Sequence, residues 1–287
     1  VGGFMNDLLN SIRTKTMIDK FDLKFNKALG QNFLIDNDIL DKIVASANLT
    51  KDDKVLEIGP GIGLLTVRLA DSSGKVLSIE LDDKLIPILN DNLKEFDNVV
   101  IYHGDAMKVD LMQLTDEHLK EPFTICANIP YYITTPLINR FFKEDLNVKN
   151  IVLMIQKEVA ERMVAKPGGK DYGALLLLIQ YYSKPSIVTL VPPNCFVPRP
   201  KIDSAVIEMY KKPPVELISS ELFFNVIKAS FSQRRKTLSN ALKPMGIPRE
   251  ELKLCFDQCS IDPSRRGETL SIDEFANLSN SIYRLKK

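Results

Sequence analysis

The chain has 287 residues, of which 45% are hydrophobic and 26% are charged. This is the composition of a folded globular protein and excludes disorder as the main state. The formal net charge of +1 does not by itself indicate a polyanionic partner. The charge is unevenly distributed, however, because residues 195–287 carry 16 basic and 11 acidic side chains. A basic last third is compatible with nucleic-acid binding in that part of the chain.

Histidine and cysteine are scarce, with two and four residues. Two histidines nearly rule out a multi-histidine metal site, and the cysteines lack the paired spacing of a zinc site, so we expect no metal. Four cysteines in a chain of this length are typical of a reducing compartment. No apolar run approaches the roughly 18 residues of a membrane span. We therefore expect a cytoplasmic monomer with no membrane partner.

Secondary-structure signals begin after a locally basic segment, residues 1–30. Asp36 is a predicted helix cap, with apolar residues at helical spacing as far as about Ala47. Short apolar strands then alternate with helices: strands at 54–58, 75–79, 99–102, 123–127 and 150–155, and helices at 64–70, 83–93 and 135–142. The apolar run 174–182 suits a buried helix or strand, and 205–210 is predicted as a returning edge strand. A linker at 211–214 precedes helical patterns only, at 219–232, 236–243, 249–258 and 271–284.

The alternation of strands and helices predicts an α/β fold with a doubly wound parallel sheet, covered by helices on both faces. Three segments follow: a basic N-terminal segment (1–30), an α/β domain (31–210) and a small C-terminal α-helical domain (211–287). Open sheets of this kind bind ligands at the carboxyl ends of their strands. Two unusual loops, 59–63 and 128–131, directly follow predicted strands and are therefore the candidate site.

The first of these loops is Gly59-Pro-Gly-Ile-Gly63. Its glycines let the backbone approach a ligand closely, with the N-terminus of the next helix facing that ligand. The spacing fits neither the G-x-G-x-x-G fingerprint of dinucleotide binding nor a Walker loop. The pattern Glu57-x-Gly59-x-Gly61-x-Gly63 instead resembles the first motif of S-adenosylmethionine-dependent methyltransferases. The resemblance implies a Rossmann-like methyltransferase sheet, in which the glycines make room for the methionine half of the cofactor.

Two further strand ends extend this resemblance. Glu80 follows Gly59 by 21 positions and ends the second strand, where an acidic side chain accepts hydrogen bonds from ribose hydroxyls. Asp105, beside Ala106 after the third strand, resembles the residue that meets the adenine of the cofactor. Acidic residues at the ends of two successive strands therefore predict a site for S-adenosyl-L-methionine.

The second loop resembles the catalytic motif of enzymes that methylate the exocyclic amines of nucleic-acid bases. Asn128 follows the fourth strand, and its side-chain oxygen and the Ile129 carbonyl can accept both hydrogens of adenine N6. These bonds draw the delocalised amine toward tetrahedral geometry and aim its lone pair at the methyl group. Pro130 stiffens the turn, and Tyr131 can stack on a base that has left its helix. Phe196 is a candidate second stacking face or a core aromatic residue.

Similar segments extend over nearly the whole chain, at 29–34, 57–63, 128–131, 153–158, 196–204 and 231–238. Together they resemble the bacterial small-subunit ribosomal RNA adenine dimethyltransferases, the kasugamycin-sensitivity family. The resemblance implies N6,N6-dimethylation of two adjacent adenosines in a hairpin loop near the 3′ end of 16S rRNA, within the 30S subunit, and a role in small-subunit biogenesis. It implies a cofactor site formed by Gln31, Asn32, Leu34, Gly59, Gly61, Gly63, Glu80, Asp105, Ala106 and Asn128.

Two other functions stay open. An erythromycin-resistance-type methyltransferase would modify an adenine of 23S rRNA with the same N-terminal motifs. The segments 233–238 and 265–270 are typical of the small-subunit enzymes and argue against it. A non-catalytic ribosome assembly factor could retain the fold, but the intact Asn128 and Tyr131 argue against the loss of chemistry.

A run of positive charge, Arg234, Arg235 and Lys236, lies in the basic C-terminal part. One interpretation is contact with rRNA phosphates, where each contact adds to the salt dependence of binding. The other is the solvated start of a helix. The sequence does not show which face these side chains occupy.

Overall fold

The structure is a computed structural model that describes residues 16, 29–120, 122–144, 146–169, 172–212, 215–233 and 235–285. The predicted basic segment 1–30 therefore lies almost entirely outside the described residues. The strands are β1 (Phe33–Leu34), β2 (Lys54–Ile58), β3 (Lys75–Glu80), β4 (Val99–His103), β5 (Phe123–Asn128), β6 (Val148–Gln156), β7 (Ser183–Val191), β8 (Phe196–Val197) and β9 (Ser204–Lys211). The α-helices are α1 (Asn37–Ala47), α2 (Leu64–Ser72), α3 (Ile86–Asn92), α4 (Leu111–His118), α5 (Thr134–Lys143), α6 (Lys157–Met163), α7 (Ala174–Tyr182), α8 (Ser220–Ser232), α9 (Leu238–Ala241), α10 (Arg249–Gln258) and α11 (Ile272–Leu285).

Seven strands form one sheet in the order β4-β3-β2-β5-β6-β9-β7. The strands β4, β3, β2, β5 and β6 are parallel to one another, whereas β9 runs antiparallel to β6. The predicted doubly wound α/β fold is confirmed, with its strand order reversing between β2 and β5. The carboxyl ends of β2, β3, β4 and β5 therefore lie at one edge of the sheet, as ligand binding at a switch point requires.

The prediction that 205–210 is an edge strand is wrong. β9 covers this stretch, but β7 lies on its outer side and forms the edge. β7 gave no clear sequence signal because most of its side chains are only half-buried, and a proline, Pro185, interrupts it. Proline is tolerated in edge strands, where an amide donor is not needed.

Local sequence explains where the first helix and the central strands form. The Asp36 carboxylate accepts a hydrogen bond from the Ile39 N–H at 3.0 Å, which caps α1 as predicted. Val55 and Leu56 in β2 are fully buried, as expected for a central strand covered on both faces. The run 174–182, left open between helix and strand, is the helix α7.

The backbone divides into two compact units. The first contains the described residues up to Ala160 together with Ser186–Lys211, and the second contains Glu161–Pro185 together with the described residues from Lys212 onward. The segment 161–185 thus belongs with the helical unit, whereas the sequence-based boundaries assigned it to the α/β domain. In the predicted linker, residues 213 and 214 lie outside the described residues.

Each unit has its own apolar core. The core of the first unit packs α1 and α2 against the sheet, with Ile43, Leu69 and Val152 fully buried. The core of the second unit is rich in aromatic residues, including Phe223, Phe256 and Phe275. Among the described residues, no helix combines the length and apolar character needed to cross a membrane.

Candidate functional site

A cavity of about 1070 Å³, measured with its open mouth, lies at the carboxyl ends of the strands in the first unit. Most of the predicted cofactor residues line it: Gln31, Asn32, Leu34, Gly59, Gly61, Glu80, Asp105, Ala106 and Asn128. The predicted catalytic residues line it too: Asn128, Ile129, Pro130, Tyr131 and Phe196. The structure therefore brings together residues that are up to 165 positions apart in the sequence, from Gln31 to Phe196.

The glycine loop between β2 and α2 is held in left-handed backbone conformations. The φ angles are +67° at Gly59, +61° at Gly61 and +87° at Gly63, a region that other residues rarely adopt. A Cβ on Gly61 would come within 3.0 Å of the Phe33 ring. Gly63 does not line the cavity; it precedes α2 and packs against Leu89, which a Cβ would approach to 3.2 Å.

Glu80 connects the end of β3 to the glycine loop. One carboxylate oxygen, Oε2, accepts a hydrogen bond from the Gly61 N–H at 3.2 Å, and Oε1 accepts one from the Asp82 N–H at 2.8 Å. Only 6% of the residue is exposed. Burial raises the pKa of the Glu80 carboxyl above its ordinary value, while the backbone hydrogen bonds act in the opposite direction. The loop and the carboxylate are thus fixed relative to each other.

Asp82 supports the site from outside the cavity lining and was missed by the sequence analysis. Its Oδ2 accepts a hydrogen bond from Gln31 Nε2 at 2.6 Å, and its Oδ1 accepts one from the Lys84 N–H at 3.1 Å. Gln31, predicted to bind the cofactor, therefore also joins the segment before β1 to the end of β3. An available signal was the pattern of a helix cap in Asp82-Asp-Lys84.

Glu57 lies beneath the glycine loop and is almost completely buried. A single carboxylate oxygen, Oε2, accepts hydrogen bonds from Thr66 Oγ1 and Ser78 Oγ, both at 2.7 Å. Burial raises the pKa of Glu57 to about 7, and the nearby charge of Glu80 adds to this effect. The carboxyl group links β2, β3 and α2 at the base of the cavity.

Asp105 and Ala106 follow β4 on the far side of Glu80. The Gly104 N–H donates to the Glu80 backbone oxygen at 2.8 Å, which brings the two strand ends together. Asp105 Oδ1 accepts a hydrogen bond from the Met107 N–H at 2.9 Å, and Lys108 lies 3.4 Å from Asp105 Oδ2. The Ala106 carbonyl oxygen accepts a hydrogen bond from Arg140, which supports this turn from α5.

The Asn128 amide lies at the end of β5, opposite the glycine loop. Its Nδ2 donates to the Asn32 carbonyl oxygen at 3.4 Å, which leaves Oδ1 as the acceptor of the side chain. The Ile129 N–H donates to the Met154 carbonyl oxygen at 3.2 Å, so the turn is tied to β6. A Cβ on Gly59 would lie 3.6 Å from Pro130. The two loops predicted to form the site therefore lie side by side, with about the space of one methyl group between Gly59 and Pro130.

Tyr131 and Phe196 are the aromatic residues predicted to stack on the base. The Tyr131 hydroxyl and Ser204 Oγ are hydrogen-bonded at 2.6 Å, which fixes the ring, and burial raises the pKa of the hydroxyl. Phe196 is 2% exposed and pairs with Leu34 between β8 and β1. It belongs to the apolar core and also lines the cavity. The sequence analysis identified neither Ser204 as the partner of Tyr131 nor the pairing of Phe196 with Leu34.

The remaining predicted residues lie in the second unit. Arg235 and Lys236 are exposed there, and Arg234 lies outside the residues that the structure describes. Within the described ranges, no group of three or more His, Cys, Asp or Glu side chains is placed to hold a metal ion.

The arrangement has two chemical parts. A buried carboxylate and glycine backbone at the ends of β2 and β3 suit a ligand with hydroxyl groups. A side-chain acceptor and a fixed aromatic ring at the end of β5 suit a flat molecule with an amino group.

Comparison with known proteins identifies the family. The family described as "Ribosomal RNA adenine dimethylase" matches residues 22–284. A protein of Clostridium acetobutylicum named "Ribosomal RNA small subunit methyltransferase A" is 49% identical over 278 residues, which are 96% of this chain and 100% of the relative. A protein of the same name from Clostridium botulinum is 49% identical over 274 residues, 95% of this chain and 99% of the relative.

Solved structures share the fold. A dimethyladenosine transferase from Plasmodium falciparum is 29% identical, with a TM-score of 0.73 over 84% of this chain and 94% of that chain. The 23S rRNA methyltransferase ErmE, 24% identical with a TM-score of 0.71, covers 88% of this chain and 99% of its own, and shows the fold alone. The family resemblance found in the sequence is confirmed. The chain belongs to the ribosomal RNA adenine dimethylase family and is an rRNA adenine dimethyltransferase.

Proposed function

We propose that the chain dimethylates N6 of two adjacent adenosines in a hairpin loop near the 3′ end of 16S rRNA, within the 30S subunit in the cytoplasm. The observation that carries the chemistry is the position of Asn128, which lines the same cavity as Glu80 and whose Oδ1 accepts no hydrogen bond from the residues that the structure describes. The small-subunit target is supported by the names of the relatives that are 49% identical. Binding of the immature subunit would also give the protein a role in small-subunit biogenesis.

The residues at the ends of β2, β3 and β4 fit S-adenosyl-L-methionine. Glu80 accepts one hydrogen bond on each carboxylate oxygen, from the Gly61 N–H of the loop and from the Asp82 N–H, and each oxygen retains acceptor capacity for the hydroxyls of a ribose. Gly61 leaves the space beside Phe33 that a Cβ would fill. Asp105 would face the adenine, and the Gln31–Leu34 segment would cover the opposite side. When bound, the cofactor supplies an electrophilic methyl group on a positively charged sulfur.

The end of β5 would hold the acceptor base. Asn128 Oδ1 and the Ile129 carbonyl oxygen would accept the hydrogens of N6, while the Asn32 carbonyl keeps the Asn128 amide in one orientation. These acceptors favour the amine as it becomes positively charged, which is when they contribute most. Tyr131 would stack on the base, with its ring held by Ser204. The charged amine loses its proton readily to water, so the chain needs no strong general base.

The same residues must also allow transfer of the second methyl group. Monomethylated N6 retains one hydrogen, so one of the two acceptors must suffice, and the cavity must accommodate the first methyl group. The open mouth of the cavity is compatible with this rearrangement.

Incubation with labelled S-adenosyl-L-methionine and unmethylated 30S or 50S particles tests the proposal. We expect N6,N6-dimethyladenosine in digested 16S rRNA, detected by mass spectrometry, and no product in 23S rRNA. A product in 23S rRNA would favour the erythromycin-resistance type. Only monomethyladenosine at long times with excess cofactor would contradict dimethylation. Binding to 30S particles without any methyl transfer would favour the non-catalytic assembly factor.

A further inference from the structure

The cavity is acidic although its proposed substrate is a polyanion. Glu57, Glu80 and Asp105 line it, and its lining includes no lysine or arginine among the described residues. A carboxylate-lined cavity repels RNA phosphates. The cations that compensate the phosphates next to the reacting adenosine must therefore lie outside the cavity, close to Asn128 and Tyr131.

One short loop meets this requirement, the segment 198–203 between β8 and β9. It contains Arg199 and Lys201, both exposed, which alternate with Pro198 and Pro200. Neither basic side chain forms an ion pair with a carboxylate among the described residues. The prolines fix φ at two of the six positions, so these cations lose less conformational freedom on binding than cations on a flexible chain.

The loop is attached at both ends to residues of the site. Phe196 precedes it and lines the cavity, and Ser204 follows it and is hydrogen-bonded to the Tyr131 hydroxyl at 2.6 Å. Arg199 and Lys201 each lie three positions from one of these anchors, so each Cα is within about 10 Å of an anchor Cα. A third contact holds the loop, since the Lys157 N–H donates to the Asp203 carbonyl oxygen at 3.1 Å.

The sheet register places the same loop beside the catalytic turn. Asn128 pairs with Met154 between β5 and β6, and Ser204 pairs with Gln156 between β9 and β6. Both pairs lie within two residues on β6, at its carboxyl end. The loop that leads into β9 thus enters the sheet at the edge where Asn128 leaves it.

We propose that Arg199 and Lys201 bind the RNA phosphates that flank the adenosine held by Asn128. This proposal rests on the proposed function, because it assumes an RNA acceptor. An adenosine that enters the cavity brings its neighbouring phosphates to the rim. The loop carries cations there, with an exposed apolar side chain, Ile202, between Lys201 and Asp203.

The test uses the full chain with Arg199→Ala and Lys201→Ala combined, and unmethylated 30S particles. Each phosphate contact on single-stranded RNA contributes about 0.7 to the slope of log affinity against log salt. The double variant should therefore lose about 1.4 of this slope and raise KM for the particles by about tenfold near 0.1 M salt. The kcat at saturating particles and the affinity for S-adenosyl-L-methionine, measured by calorimetry, should stay within about threefold of the wild type.

Two further variants serve as controls. Lys211→Ala removes an exposed lysine at the other end of β9, about 23 Å from Ser204 along the strand, and should change neither slope nor KM. The exchange Arg199→Lys with Lys201→Arg keeps both charges and should restore most of the binding. Unchanged particle binding in the double variant would overturn the proposal, as would weaker binding with an unchanged salt slope, which would indicate a protein surface as the partner.

Failure of the proposed function would be seen separately, in the wild type. If wild-type protein binds 30S particles without forming dimethyladenosine, the reaction is wrong, while the salt slopes still decide the role of the loop.

Discussion

Asn128 is the residue on which the proposed chemistry depends most directly. Its Nδ2 is committed to the Asn32 carbonyl, so Asn128→Ala removes the Oδ1 acceptor from the cavity without removing a charge. We expect a loss of about 10²–10³ in kcat, by analogy with other preorganised groups aimed at developing charge. Methyl transfer to 30S particles under saturating conditions measures it. Asn139→Ala, at a half-buried asparagine of α5 whose amide donates to the Thr135 carbonyl oxygen, is the control, and an effect of the same size there would contradict the assignment.

The contributions of the Tyr131 ring and of the Tyr131 hydroxyl can be tested separately. Tyr131→Ala should lower kcat/KM by a factor equivalent to about 1–3 kcal/mol, the typical contribution of one aromatic ring stacked on a base. Tyr131→Phe should be milder, and Ser204→Ala should resemble it, because both remove only the hydrogen bond between these side chains. The measured quantity is kcat/KM with 30S particles. Equal losses of kcat/KM in Tyr131→Phe and Tyr131→Ala would mean that the hydroxyl, rather than the ring, matters.

Glu57 predicts a pH dependence of stability. Its pKa in the folded state is raised from 4.5 to about 7 by burial. Between about pH 4.5 and pH 7, unfolding therefore releases a proton from Glu57, and the contribution of Glu57 to the unfolding free energy of the wild type falls as pH rises through this range. Glu57→Gln lacks this titration, and its Oε1 can accept from both Thr66 and Ser78 because a single oxygen does so now.

The difference between the Glu57→Gln variant and the wild type in unfolding free energy should thus increase with pH, by about 2–3 kcal/mol between pH 5 and pH 8. Urea unfolding at several pH values measures it. Glu95→Gln, at an exposed position, should show no such trend. A difference that stays constant with pH would mean that Glu57 is ionised throughout this range.

Three of the site residues that sequence reasoning found, Glu80, Asp105 and Asn128, share one property: each lies at or just after the end of a strand. Glu80, Asp105 and Asn128 could be identified because a parallel sheet brings such ends together. The contacts of Gln31 with Asp82 and of Tyr131 with Ser204 join residues 51 and 73 positions apart. No local pattern indicates which side chains meet over such separations, so these partners required the structure.

At the level of elements, the turn from β2 into α2 is the most constrained. Gly61→Ala would place a Cβ 3.0 Å from Phe33, at a φ of +61°. We expect a loss of about 1–2 kcal/mol of stability from the backbone alone, together with weaker binding of S-adenosyl-L-methionine. Thermal unfolding and calorimetry measure the two effects.

Gly246 provides a matched control for this substitution. Its φ is +69°, close to that of Gly61, but no atom of the described residues lies within 4 Å of the position of its Cβ. Gly246→Ala should therefore show the backbone effect without any change in cofactor affinity. A similar loss of cofactor affinity in both variants would indicate a general effect on the fold rather than the close approach at Gly61.

Predicted and observed elements agree where burial is complete. β2 was predicted with its observed bounds, and β3 and β5 within one residue, because all but one residue of each strand is buried and most of the buried side chains are apolar. The sequence analysis missed α4 and α6, which are short, at eight and seven residues. α4 has few apolar residues, and α6 has many charged ones. The helix predicted at 83–93 is a 3₁₀ turn, Asp83–Leu85, followed by α3, with Pro87 near the start of α3.

At the scale of the whole molecule, the basic second unit allows binding of rRNA to be tested separately from binding of the cofactor. Arg235→Glu with Lys236→Glu reverses two exposed charges in this unit. If they contact rRNA, 30S binding should weaken and its salt dependence should flatten. Affinity for S-adenosyl-L-methionine should be retained, since the cavity residues all belong to the first unit. If the variant binds 30S particles with the affinity and salt dependence of the wild type, the interpretation of these side chains as the solvated start of a helix is favoured.

The sequence could not reveal that the second unit is discontinuous. A contiguous boundary near residue 210 follows from the change to purely helical patterns, but residues 161–185 also belong to that unit. Tyr172, Leu176 and Leu177 pack in its aromatic core. Apolar residues at helical spacing have the same pattern in either core, so the spacing alone cannot assign them.

The pairing of β1 with β8 has a consequence for the synthesis of the protein. Leu34 and Phe196 are paired although about 160 residues separate them. At a translation rate of about 5–20 residues per second, Phe196 leaves the peptidyl transferase centre about 8–30 seconds after Leu34. A nascent chain that already contains the glycine loop and Asn128 still lacks one wall of the cavity. Each copy of this ribosome-modifying enzyme can therefore complete its own site only when the first unit is almost fully translated.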